Sequence, residues 1–134
     1  MPEIRAELAT PRDPAELAVT VTDFYGIHNW CTWITGTAQD DTRPGTRVVT
    51  LSTGSRVVEE LVDFGATYVR YRMDDDPASP IRDYEAELRV EPATSGGALL
   101  TWSVSFACAP EMEAALTGNV QATCRRGLEE LAAA

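Results

Sequence analysis

Histidine and paired cysteine are what this chain has least of. It contains one histidine, His28, and three cysteines, Cys31, Cys108 and Cys124, widely spaced and without a C-x-x-C. An odd count at such spacings argues against a disulfide framework. A lone H-x-x-C, His28 with Cys31, has no evident third ligand, which argues against a metal centre. The thiols read as small buried hydrophobes. No apolar run approaches the ~20 residues that span a bilayer. The opening MPEIRAELATPRD lacks the apolar region of a signal peptide, so the expectation is a cytoplasmic protein. Positive charge is also scarce: eleven Lys+Arg stand against twenty-one Asp+Glu, for a formal net charge of −10. The basic residues are scattered, which excludes a nucleic-acid face and disfavours an anionic membrane surface. The acidic surface reads as a solubility device. No glycine loop suits a phosphate, since Gly96-Gly97 reads as a turn. Ser103 and Ser105 lie on a solvated face with no His-Asp context, so there is no serine-hydrolase triad. The expectation is a protein that works without metal or cofactor.

What is present is an ordinary globular composition, 44% hydrophobic and 24% charged over 134 residues. That length suits one domain, residues 1–134, with a core that needs no staples. Residues 3–9 alternate as an opening strand. Asp13, Pro14 and Glu16 form a capping-box pattern, predicting a short helix or helix pair from Pro14 towards Trp30, broken near Gly26. Turn signals then recur at Pro44-Gly45, Gly54, Gly65, Asp74–Pro80 and Gly96-Gly97. Between them lie TWITGTA, RVVTLS, SRVVEELVDF, TYVRYRM, RDYEAELRV and ALLTWSVSFA. Several of these alternate: Tyr84, Ala86, Leu88 and Val90 share a face, as do Leu100, Trp102, Val104 and Phe106. That pattern predicts an antiparallel meander with one apolar face. From Pro110 onward, Met112, Leu116, Val120, Cys124, Leu128 and Leu131 recur at helical spacing, predicting a long amphipathic helix. It is the only helix long enough to cover the sheet. The fold class is therefore α+β, a curved antiparallel sheet wrapped around a long C-terminal helix.

This order of elements resembles the START-like, or helix-grip (SRPBCC), superfamily, and within it the polyketide cyclase/dehydrase-like branch. Birch-pollen-type allergens and abscisic-acid receptors are more distant relatives. The residues that carry the resemblance are DFYGIHNW (23–30), VVEEL (57–61), VRYRM (69–73), PIRDYEAELRV (80–90), LLTWSVSF (99–106) and RRGLEEL (125–131), in the expected order. Many such proteins follow the closing Trp with His-Pro, whereas here Trp30 is followed by Cys31-Thr32. The resemblance implies an internal cavity, used across the superfamily for cyclisation, dehydration, lipid carriage or sensing, so fold does not settle function.

Three residues are candidates for chemistry. Glu59 is first, because the corresponding acid in relatives points into the cavity, where an apolar setting would raise its pKa and suit it to proton transfer. Alternation leaves two registers open, Val57, Glu59 and Leu61 inward or Val58, Glu60 and Val62 inward, and Glu59 could instead simply pair with an arginine such as Arg82. Tyr71 sits on an apolar face and could orient a carbonyl or hydroxyl. Arg82 shares parity with Tyr84 and could face an enolate or carboxylate, or else lie solvated in its loop. Candidate ligand contacts are Phe24, His28, Trp30 and Trp33 near the helix-to-strand corner. From the sheet come Val57, Leu61, Met73, Tyr84 and Trp102, and from the last helix Met112, Leu116 and Asn119. The partner expected is a hydrophobic small molecule, bound by a monomer or homodimer. The readings that remain are a cofactor-independent cyclase, dehydratase or isomerase and a non-catalytic carrier or sensor. A structural protein using the sheet's outer face ranks below both, since that face is charged.

Overall fold

Alternating strands separated by tight turns satisfy their backbones by pairing each strand with the next. In the computed structural model, which describes residues 1–134, the chain runs β1 (Glu3–Thr10), α1 (Pro14–Thr22) and a 3-10 segment (Phe24–Asn29). Six strands follow: β2 (Ile34–Gln39), β3 (Thr46–Leu51), β4 (Arg56–Phe64), β5 (Tyr68–Met73), β6 (Arg82–Pro92) and β7 (Ala98–Ala107). A 3-10 turn (Pro110–Met112) leads into α2 (Glu113–Ala133). The strands form one antiparallel sheet in the order β1-β7-β6-β5-β4-β3-β2. Only β1 departs from sequence order, because α1 and the 3-10 segment carry the chain from one edge of the sheet to the other. This is the expected α+β helix-grip architecture.

The α1 start differs in detail from the capping box. Asp13 accepts a hydrogen bond from the Ala15 N–H at 3.3 Å, but Glu16 turns to Arg12, 2.8 Å away. The helix ends at Asp23 and not near Gly26. The run Thr20-Val21-Thr22 is β-branched at every position and Asp23 favours leaving a helix, so propensity fails before the glycine is reached.

Register decides which side chains share the inner face. Ile4, Val104, Ala86, Tyr71 and Leu61 form one row across five strands, and Arg47, Glu59 and Met73 form another. On the outer face Arg72 and Glu60 stand opposite each other with a 2.6 Å ion pair. A bulge between Leu61 and Asp63 ends the regular alternation of β4, which leaves Val62 and Phe64 exposed. The buried apolar residues form one cluster of 23.

α2 is packed along only half its length. Cys124, Gly127, Leu128 and Leu131 are buried, but no residue from 113 to 123 is. The predicted stripe therefore weakens towards its start: Leu116 and Val120 are half-buried and Met112 is 39% exposed. The packed half also protects the sheet. Gln121 Nε2 donates to the Arg5 carbonyl at 3.3 Å, and Arg125 Nη1 donates to the Glu7 carbonyl at 3.2 Å. Acceptors on the β1 edge are thus covered before another strand can add to it. Gly127 sets the helix-to-sheet distance. A Cβ there would lie 2.4 Å from the Trp102 ring and 3.0 Å from that of Trp33. Gly127→Ala should therefore cost about 1–3 kcal/mol despite alanine's better helix propensity, read as a lower urea midpoint. An unchanged or raised midpoint would refute this close packing.

Candidate functional site

The hairpin joining β3 and β4 turns through the three residues Ser52, Thr53 and Gly54, and this places Arg47 directly opposite Glu59. Both face inward. Arg47 is 2% exposed and Glu59 8%. Arg47 Nε donates to Glu59 Oε1 at 2.8 Å, and Nη2 lies 2.8 Å from the same oxygen without hydrogen-bond alignment. Nη1 donates to the Phe24 carbonyl. The guanidinium lies 3.9 Å from the Phe24 ring centroid and 4.9 Å from that of Tyr71, so it is held between two aromatic faces. Every basic residue in the chain is an arginine, and only a flat guanidinium fits such a slot while forking to two acceptors.

Beside the pair lies a cavity of about 250 Å³. Val49, Leu51, Val57, Met73, Tyr84 and Trp102 supply the sheet wall. Ile27, Trp33, Ile34 and Ile81 close its ends. Leu116, Asn119, Val120, Thr123 and Cys124 roof it from α2. The cavity exists because the α2 residues that face it ahead of Cys124, namely Leu116, Asn119, Val120 and Thr123, do not fill the space to the sheet: none of them is buried. Glu59 is the one charged residue in the lining, and Tyr71 lies next to it. A wider groove of about 540 Å³ on the sheet's outer face is lined mostly by polar side chains, including Arg70 and Glu87, which pair at 3.0 Å.

The polar groups of the cavity are few. Glu59 Oε1 is taken by Arg47, while Oε2 has no protein donor. The Tyr71 hydroxyl accepts from Trp102 Nε1 at 3.2 Å and donates to no protein group. Tyr84 lines the cavity and its hydroxyl has no protein partner. Burial raises the Glu59 carboxyl above its ordinary range, and the attraction of Arg47 opposes this without cancelling it. Burial also pushes both phenols up, so they remain protonated. The Cys124 thiol is pushed up to about 12 by burial, which leaves no thiolate to act as nucleophile near neutrality.

The structure gathers Glu59, Tyr71, Trp33, Val57, Met73, Tyr84, Trp102, Leu116 and Asn119 of the sequence candidates around the cavity. Of the two registers, it has Glu59 inward and Glu60 outward. The other candidates lie elsewhere. Arg82 donates to the carbonyls of Asp76, Ser79 and Ile81 and so staples its own loop. The parity argument fails there because a bulge between Arg82 and Glu85, with Asp83 at φ 54°, interrupts the alternation. His28 is exposed, its Nδ1 2.9 Å from Thr37 Oγ1. Trp30 is core, 6.0 Å from Trp102. Phe24 lies behind the ion pair, and Leu61 packs on the core towards the bulge. Met112 sits a turn before the roof and is exposed.

Sequence reading missed Arg47. Its signal was available in hairpin arithmetic: folding the chain about Thr53, at the centre of a three-residue loop from Ser52 to Gly54, sets position 47 against 59. Val49 and Leu51 share its parity, and both line the cavity.

A family model described as polyketide cyclase / dehydrase and lipid transport matches residues 1–134. No curated protein matches the chain. Among solved structures it is similar to protein XoxI of Bacillus cereus, at 18% identity and a TM-score of 0.88 over 98% of this chain and 93% of that one. It is similar to a START superfamily protein of Mycobacterium smegmatis, at 14% identity and a TM-score of 0.70 over 95% and 94%. It also resembles the di-domain ARO/CYC StfQ of the steffimycin biosynthetic pathway, at 11% identity and a TM-score of 0.72 over 97% of this chain and 48% of that one. At these identities the likeness is one of fold.

Two measurements test the ion pair. Arg47→Met should cost about 3–5 kcal/mol because it strands the Glu59 carboxylate, and adding Glu59→Leu should recover most of that loss. Equal stability of Arg47→Met and the parent in urea would show the pair to be unimportant to the fold. Separately, the Glu59 side-chain carbon should titrate by NMR above 4.5. Over that window the folded state holds more protons than the unfolded one, so this group's contribution to stability falls as pH rises through its folded pKa.

Proposed function

The chain belongs to the polyketide cyclase/dehydrase and lipid transport family, and we propose that it encloses a lipophilic small molecule between α2 and the sheet and dehydrates or cyclises it without a cofactor. Residues 1–134 act as one ligand-binding domain in this reading. The observation that carries it is Glu59: a carboxyl in an otherwise apolar cavity wall, with one oxygen fixed by Arg47 and the other unoccupied by any protein donor.

Such a carboxyl is positioned for proton transfer, and its raised pKa brings it closer to the working range of a general base. For a β-hydroxy ketone, Oε2 would take the proton from the carbon between the two oxygen-bearing carbons. The new C=C forms as the C–O bond breaks, and the same proton leaves with the hydroxyl as water, returning Glu59 to its starting state. The Tyr84 or Tyr71 hydroxyl would hold the carbonyl oxygen as negative charge develops there. Arg47 is a positioning residue in this scheme, since it touches Glu59 and not the cavity. The cavity's size favours a one- or two-ring substrate, because about 250 Å³ falls below the ~300–1,000 Å³ of drug-sized sites.

A second reading has its own observation. Glu59 is paired with a permanent cation that is itself fully enclosed, which is also how a purely structural ion pair is built. On that reading the protein carries or senses its ligand unchanged.

Incubation with 3-hydroxy-1-tetralone distinguishes the two. Dehydration of this probe gives 1-naphthol after tautomerisation, which is readily followed by fluorescence. The expected result is formation of 1-naphthol above background and a loss of at least ~100-fold in Glu59→Gln, with binding of a neutral ligand changed only a few-fold. Binding without turnover, together with unaltered small molecules released from the purified protein, would support the carrier reading.

A further inference from the structure

The charge balance of the cavity is closed. Its only charged lining residue, Glu59, is neutralised by Arg47 at 2.8 Å, and Arg47 itself is enclosed behind Phe24 and Tyr71. No other arginine lines the cavity: Arg82 is bound to its loop carbonyls, and Arg126 lies over the outer side of Trp33, 5.4 Å from the ring. A carboxylate entering this space would bring a second negative charge with no cation to meet it, and burying an unpaired charge is costly. An ammonium would meet a carboxylate whose charge is already compensated.

The hydrogen-bonding groups left over are specific in kind. Glu59 Oε2 lacks a donor, and the Tyr71 and Tyr84 hydroxyls lack acceptors. A bare hydrocarbon would leave all three without partners. A group that both donates and accepts would satisfy an acceptor and a donor of the wall together.

From this we infer that the ligand is an uncharged one- or two-ring molecule bearing a hydroxyl, an enol or a phenol, and that free carboxylic acids are excluded as their anions. The inference rests on the cavity being a binding site, as proposed above, and concerns which molecules it admits. It holds whether the ligand is transformed or merely carried.

Four probes of one scaffold test it by isothermal titration calorimetry at neutral pH: naphthalene, 2-naphthol, 2-naphthamide and 2-naphthoate. The amide and the carboxylate have nearly the same shape, so they separate charge from fit. The expected order places 2-naphthol tightest and 2-naphthoate weakest, at least ~10-fold below 2-naphthamide. Glu59→Gln removes the negative charge and frees Arg47, so in that variant 2-naphthoate should gain about tenfold or more relative to 2-naphthamide. If Glu59→Gln does not fold, the parent's order still decides. Binding of 2-naphthoate as tight as that of 2-naphthamide overturns the inference and leaves the cavity's role standing, as does a folded Glu59→Gln protein with no relative gain for the anion. Failure of all four to bind overturns both.

Discussion

The constraint on which the rest of this structure depends is the burial of two opposite charges on the inner face of a sheet. Desolvating a guanidinium and a carboxylate costs several kcal/mol each, and their attraction compensates only when geometry and remaining hydrogen bonds are good. Here the compensation is spread over separate elements. β4 supplies Glu59, the 3-10 segment supplies the Phe24 carbonyl and ring, and β5 supplies the Tyr71 ring. Arg47 therefore ties the segment that crosses from α1 to β2 onto the middle of the sheet. Tyr71 in turn receives the Trp102 indole N–H, and Trp102 meets α2 at Gly127. A single ion pair is thus linked by direct contacts to the helix that roofs the cavity.

The same molecule has to be tightly filled at one end and hollow at the other. Cys124, Leu128 and Leu131 fill the space over β1 and β7. The turns of α2 before them face the sheet with Leu116, Asn119, Val120 and Thr123, none of them buried, and there the sheet's inner residues face open space. The polarity of the wall follows from the same division. Where packing is incomplete, the two phenols and one carboxylate oxygen are left facing the cavity.

Much of this architecture was legible in the sequence because it rests on local signals. Strand alternation and turn residues are each contained within a dozen residues, and the helical stripe from Met112 to Leu131 within twenty. The inward row through Val57 and Glu59 was ambiguous, because VVEELV reads apolar-acid-apolar in both registers. Only the pairing across strands separates them: β3 gives Glu59 an arginine partner inside, while Arg72 of β5 and Arg43 of the loop before β3 meet Glu60 outside. Arg82 was misplaced for a related reason: parity counts assume an unbroken pleat, and a bulge at Asp83 is not marked by glycine or proline at that position. His28 and Met112 drew interest for their chemistry and their spacing. Neither property reveals that the chain beside them turns outward. Arg47 was the largest omission, since a charged residue near the start of a strand looks solvated until its cross-strand neighbour is known.

The half-packed helix behaves mechanically as a lever, pinned where Gly127 meets Trp102 and tethered at Glu113 to β7 through the Pro110–Met112 turn. Fourteen residues separate these points, so the arm is about 21 Å long. A tilt of about 10° at the pin would carry the tip by roughly 4 Å, a displacement comparable to the thickness of an aromatic ring. That travel breaks no hydrogen bond of the β-ladder, but it would stretch the Gln121 bond to the Arg5 carbonyl, six residues along the arm, by roughly 1.6 Å. Widening of the cavity's mouth is thereby opposed by one side-chain hydrogen bond and a short turn, whereas its charged wall is held by the sheet itself.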